Sequence, residues 1–149
     1  MSMIAITAAF AAIKARAEAN ISGVPMFWQD GGNHLPDKVG PFIYFELLIE
    51  GASPIEIGGG RGANRHRNTG ELNIYVFDAL GVGLSALLAR AEPIAAVFRG
   101  WRGDGVSIPT ASVHPLGEGE SLTPPGMDSV AGNYVAVVVH ASLYFDQKA

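Results

Sequence analysis

The closing run "NYVAVVVHASLYF", residues 133–145, sets Val135, Val137, Val139, Ala141, Leu143 and Phe145 at every second position. Successive side chains of an extended chain point to opposite sides, so this period of two predicts a strand that buries one whole face. Two further segments read as strands. "FIYFELLIE", Phe42 to Glu50, is β-rich and nearly continuous in apolar character, as expected of a strand covered on much of both faces. "GELNIYVFDA" alternates Leu72, Ile74 and Val76 with Asn73, Tyr75 and Phe77. The glycine-rich stretch between them suits a long hairpin connection, which predicts antiparallel pairing.

Two segments repeat at helical spacing instead. From Ile4 to Ala19, Ile6, Phe10, Ile13 and Ala17 share one side, and the many alanines permit close packing on a sheet. In "GLSALLARAEPIAAVFRGW", Leu84, Leu87, Leu88, Ala91, Ala95 and Phe98 form one stripe, with Arg99 and Arg102 at or beyond the C-terminus. Pro93 removes a backbone donor there, which predicts a kink or break near Glu92. "VPMFWQD" reads as a short strand, and after "GWRGDG" come "VSIPT" and "ASVHPL", two short strand-like pieces. The order, helix, three strands, helix, then two or three strands, predicts an α+β fold. Its sheet is expected to be mainly antiparallel, with both helices packed on one face and a long Gly-rich hairpin loop.

A chain of 149 residues fits one domain, residues 1–149, and can bury roughly 70% of the surface its unfolded form exposes. Apolar residues make up 48% and charged residues 16%, which excludes a disordered chain. The 19 glycines and 9 prolines concentrate at 31–41, 51–62 and 117–132, where long loops are expected. A net charge of −4 lacks the footprint of a general nucleic-acid binder. The absence of cysteine closes thiol chemistry. In "MSMIAITAAFAAIKARAEA" the basic residues follow the apolar run, the reverse of a secretory leader, and no stretch approaches the roughly 18 apolar residues of a membrane helix.

No catalytic, cofactor or metal residue stands out. "GGGRGA" fails as a phosphate loop because its glycines lead into a strand, whereas the anion-binding form opens a helix. His34, His66, His114 and His140 are scattered, without the i, i+4 spacing of a helical metal site, and His140 is expected opposite the valines of its strand. Ser85 lacks the second glycine of a nucleophile elbow. Glu118 and Glu120 lie in an acidic loop that offers no burial, and Trp28 and Trp101 read as aromatics at the edge of a core. The most suggestive cluster is Arg61, Arg65 and Arg67, with His66 between the last two, in an otherwise acidic chain.

Taken together, the alanine-rich first helix, "PFIYFELL", the arginine-bearing loop leading into "RNTGELNIYVF", "ALLARAEPIAAVF", "VSIP" and "YVAVVVHASLYF" cover nearly the whole chain. This combination resembles the tail terminator, or tail-completion, proteins of long-tailed bacteriophages and related prophages. The most specific part is Arg67, Thr69 and Gly70 leading into an alternating strand that ends at Phe77. The resemblance implies a non-enzymatic virion protein of the tail and neck, made in the host bacterial cytoplasm. It implies a homo-oligomeric ring, a hexamer in most of the family, which caps the tail tube, ends its polymerisation and offers the surface for head-tail joining. Its expected partners are the tail tube protein and a head-completion or neck protein, with non-specific DNA in the ring lumen and no membrane. The stretch from Gly58 to Asn68 is then expected to be a mobile assembly loop, with Arg61, Arg65, His66 and Arg67 as its contacts. The rival readings are another neck or head-completion connector, and a small ligand-binding domain or enzyme built on His66, Arg65 and Arg67.

Overall fold

The structure, a computed structural model, describes residues 3–29, 40–56, 58–60, 62, 64–79, 81–116 and 134–148. Helix α1 (Ile6–Asn20) is followed by strands β1 (Met26–Trp28), β2 (Phe42–Pro54) and β3 (Arg65–Ala79). Helix α2 (Leu84–Phe98) then precedes β4 (Trp101–Gly103), β5 (Val106–Pro115) and β6 (Tyr134–Lys148). The α+β class holds. All six strands form one sheet in the order β1-β2-β3-β6-β5-β4. It is mixed, because β1 joins β2 in parallel while the other four pairings are antiparallel.

The spine is the β3–β6 ladder, paired without a break from Arg65↔Lys148 to Ala79↔Tyr134. The period of two decides what each face carries. Leu72, Ile74 and Val76 of β3 and Val137, Val139, Ala141, Leu143 and Phe145 of β6 share one core with buried residues of both helices. Ala9, Ala12 and Ala17 are the buried small residues that let α1 lie close, as its composition predicts. In α2 the buried side is Leu87, Ala91, Ile94, Ala95 and Phe98, with Leu88 packed at its margin.

Several expectations are corrected. Ile6 is 44% exposed and Leu84 51% exposed, because each lies in its helix's first turn. Apolar period tells which side of a helix a residue shares, but not how far the partner surface extends. Pro93 does not break α2, which runs continuously through it. Pro93 and Ala89 are both exposed, so the carbonyl four residues back that loses its donor faces water. Within "GWRGDG", where the sequence predicts no element, Trp101–Gly103 forms β4, and Asp104 and Gly105, both at positive φ, turn it into β5. The two pieces expected around Pro109 are one strand with a register shift between Ser107 and Thr110.

Candidate functional site

The sheet face opposite the helices carries the polar residues of β3, β5 and β6, in three zones along the strands. One end is aromatic. Phe42, Tyr44, Phe77 and Tyr134 are buried together, with Phe42 and Phe77 stacked at 4.5 Å and Tyr134 edge-on to Phe42 at 5.2 Å. Phe77, the end of the family-like motif, therefore anchors this cluster.

The other end is basic, and here the expected arginine loop is redrawn. Arg65, His66, Arg67 and Asn68 belong to β3, paired with Pro54, Ser53 and Ala52 on one side and with β6 on the other. Strand alternation puts Arg65 and Arg67 on the helix-free face and His66 on the other, so the three do not converge on one site. Arg61 lies outside the described residues. Arg67 grips Asp146, its cross-strand partner, with Nε at 2.8 Å and a second guanidinium nitrogen at 3.1 Å. Asp146 is fully buried, so this pair satisfies a carboxylate that water cannot reach. The Arg67 contacts hold the Asp146 carboxyl below its ordinary value, against the opposing effect of burial. Arg67 also lies over the Tyr144 ring, 4.4 Å from its centre, and Arg102 reaches the Tyr144 hydroxyl at 3.5 Å.

Two other members of that motif separate by role. Thr69 is exposed. Gly70 is not a turn glycine: a Cβ there would run into the Leu48 carbonyl and crowd Ile49, where β2 shifts register between Ile49 and Gly51. Glycine lets the two backbones meet at the bulge.

Between the two ends lies a hydrogen-bonded row that sequence reasoning missed. Glu46 is buried, and its Oε1 accepts from Asn73 Nδ2 at 3.1 Å and from the Tyr75 hydroxyl at 3.4 Å. Burial first, and Glu46 second, push the Tyr75 hydroxyl up to about 12, so it remains a donor. Asn73 Oδ1 lies 2.6 Å from His140 Nδ1, and Glu71 Oε1 lies 3.1 Å from the same nitrogen. His114 stands beside His140 with ring centroids 4.9 Å apart, and Ser112 Oγ is 2.8 Å from His114 Nε2. His140 does face away from the valines. Its meeting with His114 depends on the β5–β6 register, in which Ser112 opposes His140 and His114 opposes Val138.

The aromatic residues and ion pairs elsewhere are structural. Trp28 is buried and stacks on Phe45 at 4.0 Å, and Trp101 packs edge-on to Phe98. A cleft of about 290 Å³ opens between the end of α1 and α2, but Arg90, its charged lining residue, is already paired with Asp78. His34, Glu118 and Glu120 lie outside the described residues. No described helix is long and apolar enough to cross a membrane.

No family model matches the sequence, and no curated protein matches it. Solved structures do. One, of a protein designated only by a sequence identifier, aligns over 98% of this chain and 97% of its own with a TM-score of 0.57 at 18% identity. That likeness extends over the full chain and speaks to the fold alone.

Proposed function

We propose that this chain is a structural subunit of the tail-terminator kind, closing a ring on the finished end of a phage tail tube and presenting its other side for head-tail joining. A tube grows by head-to-tail contacts that never close along its axis, so ending it takes a ring with one tube-like side and one different side. Such a subunit needs two unlike edges, one open to a neighbour and one sealed against further addition. The observation that carries the reading is that the sheet has them. Among the described residues no strand pairs with the outer edge of β2 beyond Phe45, where the Leu47 N–H goes to Gln29 Oε1 at 2.6 Å, and Leu48 and, just past the strand's end, Ile55 are 42% and 45% exposed. The opposite edge is closed by Pro109, by Pro115 and by Arg99, whose Nε takes the Ala111 carbonyl at 2.8 Å.

The scaffold behind this edge is read as a mainly antiparallel sheet. The Gly-rich β2–β3 connection is its assembly loop, contacting a neighbouring subunit, the tube protein or DNA in the lumen. Arg61 and Arg65 are assigned to those contacts, whereas Arg67 holds the ladder that supports them. The sequence resemblance to tail terminators supports the reading, and the full-length structural likeness bears only on the fold beneath it. Its test is electron microscopy of tails assembled in a host carrying the phage or prophage with this gene deleted. Tubes of uncontrolled length without heads are expected, and tubes of normal length would overturn the assignment.

A further inference from the structure

We propose that His114 and His140 form a two-imidazole site for a divalent transition-metal cation. The geometry of the pair comes first. A cation sits about 2.0–2.1 Å from an imidazole nitrogen, and the ring centre is about 1.1 Å further on, so two rings at a tetrahedral angle hold their centroids about 5 Å apart. The observed separation is 4.9 Å.

Independently of that distance, hydrogen bonds decide which nitrogen of each ring carries the proton. Asn73 gives its Nδ2 to buried Glu46, which turns Asn73 Oδ1 toward His140 as an acceptor. Glu71 presents a second acceptor to the same ring nitrogen. With acceptors on both contacts, His140 Nδ1 carries the hydrogen and Nε2 keeps its lone pair. Metal-binding histidines are held in this way, with the other N–H given to a carboxylate or carbonyl oxygen. His114 matches it: Ser112 Oγ engages Nε2, so Nδ1 is the nitrogen left for a ligand. Neither His140 Nε2 nor His114 Nδ1 has a partner among the described residues.

The rings are accessible, His114 being exposed and the His140 side chain 40% exposed. Glu71 adds negative charge beside the pair. Among the described residues no group of three or more His, Asp or Glu side chains forms a cage, so the site has two protein ligands and leaves its other positions to water. Imidazole ligation favours nickel, copper and zinc over the oxygen-seeking magnesium.

The experiment is calorimetric titration of nickel and of zinc into the full chain, with magnesium as the control. One nickel or zinc per chain is expected, unaffected by magnesium. His114→Gln and His140→Gln should each weaken binding by about tenfold or more, and the double variant should lose it. A variant altered at the two remaining histidines, His34→Gln with His66→Gln, should bind as the wild type does. His114 is exposed, so its replacement leaves the fold in place and reads binding alone. Failure of the wild type to take up either metal at millimolar concentration would overturn the site, as would binding that survives in the double variant.

Discussion

The two edges of this sheet are finished in opposite ways. Beside β4, the outer side of β5 carries two prolines, which cannot donate to an added strand, and an arginine that occupies a carbonyl. The far end of β2 carries Leu48, Ile49, Gly51 and Ala52 before its first proline at 54, and residues 50–56 are all exposed. A strand edge left in this state invites pairing, and natural sheets seldom leave one unguarded without use. Among the described residues, the distal β2–β3 ladder is flanked by β6 on the β3 side and by no strand on the β2 side.

That support can be broken. Arg67→Ala leaves the fully buried Asp146 without its cation and should destabilise the fold by roughly 3 kcal/mol, the low end for a buried pair because Arg67 is itself a third exposed. Chemical denaturation measures it. The sign with pH is fixed: the folded-state pKa of Asp146 is depressed, so the stabilisation is present above its unfolded value and lost as pH falls through the folded one. The gap between wild type and Arg67→Ala should therefore be full above about pH 5 and shrink below the ordinary carboxylate value. A gap that is constant down to strong acid would separate Arg67 from Asp146.

Shaping the open edge costs less. Gly70→Ala drives a methyl group into the Leu48 carbonyl at the β2 bulge and should cost roughly 1–3 kcal/mol, read as a lowered denaturation midpoint. An unchanged midpoint would mean that the bulge relaxes freely and does not define the edge. The smallest effect belongs to the sealed side. Arg99→Ala removes one hydrogen bond to Ala111 and an exposed pair with Glu92, for about 1 kcal/mol. If that arginine also guards the edge, the variant should self-associate more than the wild type in sedimentation, and equal behaviour would leave the guarding to the prolines.

Much of this fold was legible because the period of two survives burial. The strand faces of β3 and β6 follow directly from the alternation of Leu72, Ile74 and Val76 and of Val135 to Phe145. What failed was distance. Arg67 reads as a loop residue until Asp146, 79 positions away, is seen opposite it, and no local pattern announces such a pair. The His114–His140 contact was hidden for the same reason, with an added one: it depends on a register shift beside Pro109 that the sequence only hints at. One miss had a signal. Asp104-Gly105 is a strong two-residue hairpin cue, and it marks β4.

The far end of β2 is the proposed assembly edge. Leu48→Lys with Ile55→Lys places two charges on exposed positions of that edge, and substitutions at such sites move folding stability by only about 0.5 kcal/mol or less each. The direct measurement is complementation of the gene deletion by this double variant, scored as tails of normal length joined to heads, alongside a melting curve of the purified protein. The account predicts an unchanged melting temperature and loss of capped, joined tails. Normal tails and normal particle yield from a folded double variant would contradict it.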